Sequence, residues 1–259
     1  MTKIKLNGRQ KAIGTILIFP WYLYFAPIIF KFLITLYTSY VNNNVSVENI
    51  NVYYNVLITL STAIFLLIVF KDFIRENLKV FKENLLENII WTLTIGIGAV
   101  YVFSFIGEMI VNLFLPASLQ EASNQTLVVS LVSYNAGLMA FNAVILAPIV
   151  EELLFRGLIF NSLRQRSMLW AHLISAFLFG FLHVYSYILS GDMSEWIKLI
   201  PYMMAGFGFS FAYERRQNIV IPIFLHSIKN LIAMILIYNI MVIIPTPIPK
   251  IIPKIMSLK

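Results

Sequence analysis

The chain has 259 residues, 59% of them apolar and 12% charged, with a mean hydropathy of +0.82 and a formal net charge of +7. A soluble domain carries about 25% charged residues, so there are too few charges here to clothe a water-facing surface, while 21 Phe, 13 Tyr and 4 Trp exclude a disordered chain. The absence of cysteine removes disulfides, iron–sulfur clusters, Cys-based zinc sites and thiol nucleophiles. The basic residues stand in short clusters between apolar runs, a pattern of membrane topology rather than of a nucleic-acid partner.

Stretches of about 20 apolar residues predict bilayer spans. In chain order they are 12–30, with a continuation past Lys31 to Tyr40 left open, then 53–70, 89–115, 136–160, 168–189, 196–213 and 219–244. Leu127–Tyr134 reads as the outer start of the fourth span or as a separate short helix, and the proline-rich tail from Pro245 to Pro253 cannot be a regular helix. The expected fold is an all-α polytopic membrane bundle of about seven transmembrane helices, eight at most, forming one integral domain over 1–259. Residues 72–88 alternate charges (Asp72, Arg75, Glu76, Lys79, Lys82, Glu83, Glu87) with Phe73, Leu78, Phe81 and Leu85, which predicts an amphipathic helix lying at the interface. Lys3, Lys5, Arg9 and Lys11, the connection with Lys71, Arg75, Lys79 and Lys82, and the turns with Arg164 and Arg166 or Arg215 and Arg216 are basic, whereas 41–52, 116–126 and 190–195 lack Lys and Arg. A cytoplasmic N-terminus with the C-terminus outside satisfies this alternation except at Lys250, Lys254 and Lys259. The first apolar run has no small-residue cleavage site after it and reads as a retained span.

Ionisable groups inside spans cost roughly 2.5–3.5 kcal/mol on insertion scales and call for a reason. The fourth span holds Glu151, Glu152 and Arg156, the fifth Phe179 and His183, and the seventh His226, Lys229 and Asn230. Glu152 and Arg156 stand four apart on one helix face and can neutralise each other, while Glu151 points about 100° away and is left for other work. His226 and Asn230 share a face in the same way, as do Phe179 and His183. Glu151 lies 13 residues before Arg164, His183 lies 17 after Arg166, and His226 and Asn230 lie 10 and 14 after Arg216. At 1.5 Å per residue these are depths of about 20, 25, 15 and 21 Å from the basic turns. A carboxylate, two imidazoles and a carboxamide at a similar level suit the holding and polarising of a water, with or without a divalent metal.

Glu-Glu-x-x-x-Arg at 151–156, Phe-x-x-x-His at 179–183 and His-x-x-x-Asn at 226–230, in that order over about 136–233, resemble the CPBP family of intramembrane proteases, which includes the type II CAAX prenyl endopeptidases and bacterial Abi proteins of bacteriocin processing and immunity. The resemblance implies a membrane endopeptidase acting on a membrane-associated peptide or protein. It implies Glu151 as catalytic base acting with His183, and His226 and Asn230 completing the site. Glu152, Arg156 and Phe179 would support it. A divalent metal such as zinc, held by Glu151, His183 and His226, is left open by the resemblance. Cleavage is expected near the cytoplasmic side of a bacterial cytoplasmic membrane. The Lys-, Asn- and Ile-rich composition points to an AT-rich bacterial genome and away from a prenylated CAAX substrate. The alternatives are a non-catalytic membrane partner, such as an immunity factor or a scaffold regulating a sensor, and an ion-coupled transporter.

Other residues have plainer readings. His172 beside Trp170 reads as interfacial, Glu108 as a structural hydrogen-bonding group or part of a substrate path, and Lys229 as outside the site. Trp21, Tyr22, Tyr24, Tyr185 and Tyr187 read as interface belts or lipid-facing bulk. Gly206, Gly208, Ser210 and Ala212 pair as small-x-x-x-small contacts between helices. No His-Glu-x-x-His, Gly-x-Ser-x-Gly or Gly-x-Gly-Asp sequence is present.

Overall fold

The computed structural model describes residues 4–41 and 46–243, so the expectations for the proline-rich tail and its lysines lie outside the described residues. The described residues form nine helices and no strand. They are α1 (Gly8–Tyr40), α2 (Val47–Val69), α3 (Lys71–Glu83), α4 (Leu85–Phe114), α5 (Ser123–Tyr134), α6 (Ala136–Leu163), α7 (Met168–Leu189), α8 (Glu195–Arg216) and α9 (Val220–Ile243). Six of them, α1, α2, α4, α6, α7 and α9, are long and apolar enough to cross a bilayer.

The sixth expected span, α8, matches α7 in length at 22 residues but carries Glu195, Lys198 and Pro201 in its first half. It packs along both α4 and α7, and Gly206, Gly208, Ser210 and Ala212 are buried in these contacts. A helix screened by its neighbours does not need an apolar surface of its own. A Cβ on Gly208 would meet the Val100 backbone of α4 at 3.0 Å, and one on Gly206 would meet the Ala176 backbone of α7 at 3.2 Å. Helices this close have room only for hydrogen at those positions.

Two boundaries that the sequence leaves open are decided in the structure, and a third differs from the sequence reading. α1 runs unbroken through Lys31 to Tyr40. Residues 127–134 belong to the separate helix α5, which ends where Asn135 leaves helical geometry at φ −151° and caps α6 through its side chain to the Leu138 amide. The amphipathic helix stops at Glu83, because Asn84 leaves helical geometry and Leu85 begins α4. Its buried face is Phe73, Asn77 and Phe81, four apart, and Asn77 ties it to the α8–α9 turn by accepting from the Ile219 and Asn218 nitrogens.

α6 is the central helix. In its most apolar stretch 56% of residues are buried against protein, compared with 17–39% in the other five spans. Three wide turns in α1 and α6 share one cause. At Gly14–Ile18, Trp21–Phe25 and Asn142–Leu146 the backbone bonds from i to i+5, and each stretch ends two residues before a proline, Pro20, Pro27 or Pro148. Widening the turn relieves the clash between the proline ring and the preceding carbonyl.

Candidate active site

α6 presents Glu151 and Glu152 to different surroundings. Glu152 is fully buried, and its Oε1 accepts from Arg156 Nη1 at 3.0 Å and from His226 Nδ1 at 2.9 Å. Arg156, equally buried, also donates from Nη2 to the Gly206 carbonyl at 2.6 Å, and its guanidinium lies over the rings of Phe179 at 4.7 Å and Phe209 at 5.3 Å. The pair therefore ties α6 to α8 and α9. Glu151 is 7% exposed, and its Oε2 has no hydrogen-bond partner. A buried polar atom without a partner costs about 1–3 kcal/mol, so this oxygen is poised to accept a hydrogen bond from a ligand.

Glu151 lines a cavity of about 530 Å³ together with Phe179, His183, His226 and Asn230, whereas Glu152 and Arg156 stand behind its wall. The four expected catalytic residues thus come together around one space, and the expected supporting pair does not reach it. The two imidazoles are held alike. His183 Nδ1 donates to the Phe179 carbonyl at 2.8 Å, and His226 Nδ1 donates to the Glu152 carboxylate. A carbonyl oxygen only accepts, and so does a carboxylate paired with a guanidinium, so Nδ1 carries the proton in both rings and Nε2 keeps its lone pair. The rings are fixed by stacking as well, His183 on Tyr202 at 4.6 Å and His226 on Phe209 at 4.5 Å.

Asn230 is placed by a backbone defect. In the wide turn ahead of Pro148 the Ala147 amide bonds back to the Asn142 carbonyl, so the next carbonyl, that of Ala143, would need the N–H that Pro148 lacks. Asn230 Nδ2 supplies the missing donor at 2.7 Å from Ala143 O. Its second N–H and its Oδ1 remain for the cavity it lines.

Several side chains of the cavity wall were read otherwise from sequence. Tyr22, Tyr185 and Tyr187 line it rather than the lipid surface, and so does Lys229, whose charge is opposed by Glu108 and Glu151. Tyr202 lines it too, at a position in α8 whose spacing carries no sequence motif. Glu108 is exposed on α4 and does not reach the cavity. His172 donates to or accepts from Ser210 at 2.7 Å between the rings of Phe160 and Phe207, a packed position instead of an interfacial one. Among the described residues no group of three or more His, Asp and Glu side chains is arranged to hold a metal. A shell of Glu151, His183 and His226 does not fit the side chains as placed.

The cavity also has a direction. From Glu151 it extends past Ser186 and Tyr187 at the end of α7, Asn51 and Tyr54 near the start of α2, and Asn124 and Gln125 at the start of α5. All of these lie at the end of the bundle opposite Arg164, Arg166, Arg215 and Arg216. Access from the basic side, expected for cleavage near the cytoplasm, does not match this geometry.

Residues 133–232 match the model of the type II CAAX prenyl endopeptidase Rce1-like family. That stretch, less than half of the chain, is similar to the Rce1-like family. It contains all three motifs and every residue of the Glu151, Glu152, Arg156, Phe179, His183, His226 and Asn230 set. The chain is 35% identical over 100 residues to the Bacillus subtilis (strain 168) protein named "Putative membrane peptidase YdiL", covering 38% of this chain and 37% of that protein. It is 34% identical over 87 residues to "UPF0177 protein YxdF" of Lactococcus lactis subsp. lactis (strain IL1403), covering 34% of this chain and 43% of that one. The chain thus spans less than half the length of the curated relatives it matches. No solved structure matches it significantly. Tyr22 and the α2 and α5 parts of the cavity wall lie outside the matched residues 133–232.

Proposed function

We propose that the chain is a membrane-embedded endopeptidase that hydrolyses a peptide bond in a membrane-associated peptide or protein, with Glu151 as general base. The observation that carries this reading is the unpartnered Glu151 Oε2 in a cavity that His183, His226 and Asn230 also line. A water has two hydrogens, and Glu151 Oε2 and His183 Nε2 are two acceptors for them, which leaves a lone pair of the water for the substrate carbonyl carbon. As the C–O bond forms, a proton passes to the Glu151 carboxylate. The free N–H of Asn230 donates to the carbonyl oxygen as it gains charge. Glu151 then returns the proton to the leaving nitrogen as the C–N bond breaks. His226, clamped by Glu152 and Phe209, presents Nε2 as a further acceptor on the same wall. The Arg156–Glu152 pair holds α6, α8 and α9 in register and takes no part in proton transfer.

The substrate is taken from the end of the bundle where the cavity continues, opposite the basic turns. With the basic turns cytoplasmic and the chain in a bacterial cytoplasmic membrane, that is the outer face. The test is cleavage of a membrane-inserted peptide by the reconstituted chain. His183→Ala is expected to lower kcat by about 10²–10⁴, the range of a positioned acid–base group, with the fold retained. Full activity in that variant removes His183 from the mechanism.

A further inference from the structure

Among the buried side-chain oxygens and nitrogens of the described residues that lack a partner, two belong to residues of the cavity wall, Glu151 Oε2 and Asn142 Oδ1. Asn142 is 9% exposed and sits on α6, nine residues toward the open end of the cavity from Glu151. In an unbroken α-helix residues nine apart stand about 180° round the axis. The wide turn at Asn142–Leu146 under-rotates α6 there, and Asn142 and Glu151 line the same cavity. The turn that makes room for Pro148 thus also brings a second orphaned acceptor to the substrate's path.

We infer that Asn142 is a substrate-binding residue whose Oδ1 accepts a main-chain N–H of the peptide, about four residues from the bond that is cut. The inference rests on the endopeptidase reading for the identity of the ligand. Nine helical residues span about 13 Å, which an extended chain covers in about four residues at 3.3 Å each. The wall beyond Asn142 suits such an occupant. Asn51, Asn55, Asn124 and Gln125 are all neutral carboxamides, and carboxamides offer the donor and acceptor pair that peptide groups need without the desolvation cost of a charge. Asn55 has already committed its Nδ2 to the Asn51 carbonyl of its own helix. An acceptor nine-tenths buried and unpaired, with carboxamides lining the wall beyond it, calls for an N–H donor from outside the protein.

The test uses the full chain carrying Glu151→Gln, so that bound peptide is not cut, and a dye-labelled twelve-residue Leu/Ala peptide in lipid nanodiscs. Asn142→Ala is expected to weaken binding about tenfold. A set of peptides N-methylated one position at a time should contain one position at which methylation weakens binding to the Asn142 protein at least fivefold and leaves the Asn142→Ala protein unaffected. Equal binding by the Asn142 and Asn142→Ala proteins, no coupled position, or no binding of the peptide overturns the inference. Thermal unfolding of the Asn142→Ala protein within about 2 °C of its parent, a loss of no more than about 1 kcal/mol for a chain of this size, separates lost binding from lost fold. Asn142-dependent binding without any cleavage by the unsubstituted chain would overturn the endopeptidase reading and leave the subsite standing.

Discussion

Glu151 and Glu152 are adjacent and chemically identical, yet their substitution by Gln should have opposite consequences. Glu152→Gln removes the charge that neutralises Arg156, a side chain with no solvent exposure. Arg156 would keep the Gly206 carbonyl and the faces of Phe179 and Phe209, none of which carries a formal charge. Breaking a buried pair by removing one partner costs about 3–5 kcal/mol, and the retained contacts place this case near the lower end. For a chain of this size 1 kcal/mol is worth about 2–4 °C, so Glu152→Gln should lower the melting temperature in detergent by about 6–12 °C. Glu151→Gln removes a carboxylate whose buried Oε2 pairs with nothing, and the melting temperature should stay within about 2 °C of the parent, less than 1 kcal/mol on the same scale. Scanning fluorimetry on the three purified proteins measures both. An unchanged melting temperature for Glu152→Gln, or a loss in Glu151→Gln as large as that in Glu152→Gln, would refute the division between a structural and a reacting carboxylate.

Asn230→Ala should destabilise the chain by about 1–3 kcal/mol by stranding the Ala143 carbonyl. Pro148→Ala restores a backbone N–H there, so the double variant should recover about 1 kcal/mol relative to the sum of the singles, read from denaturant or thermal unfolding; strict additivity would contradict the assigned role of the side chain. Because the chain lacks cysteine, single cysteines report topology directly. Gln125→Cys at the cavity mouth should react with a membrane-impermeant maleimide in intact cells and Gln165→Cys at the basic turn only after lysis, and the reverse pattern would invert the proposed entry side. Dialysis against a chelator should leave peptide cleavage in place, since no three His, Asp or Glu side chains among the described residues are set to ligate a metal; a loss that zinc restores would contradict a site built on side chains alone.

The sequence carried the helical class, most span limits and the four residues that converge on the cavity, because charge in an apolar span and spacing by four are one-dimensional signals. The division of labour between Glu151 and Glu152 was visible for the same reason, since Arg156 stands four residues after Glu152 and not after Glu151. What the sequence did not carry depends on departures from α-helical regularity. Asn142 and Glu151 share a cavity through a wide turn, and Asn230 is anchored by a carbonyl that Pro148 leaves unpaired, neither of which follows from a 3.6-residue period. Tyr22, Tyr185 and Tyr187 look like interface aromatics in any hydropathy plot, because a tyrosine facing an internal cavity and one facing headgroups have the same local pattern. The polar first half of α8 masked nothing in the sequence, yet its tolerance in a bundle follows from screening by α4 and α7, which is a property of packing.

The central claim is that Glu151 activates water for peptide hydrolysis in the cavity of α6, α7 and α9. The most direct measurement compares cleavage of a membrane-inserted peptide, followed by mass spectrometry, between the reconstituted chain and its Glu151→Gln variant at matched melting temperature. The account predicts cleavage by the former and a loss of at least about 10²-fold in the latter. Equal cleavage by both proteins would contradict it.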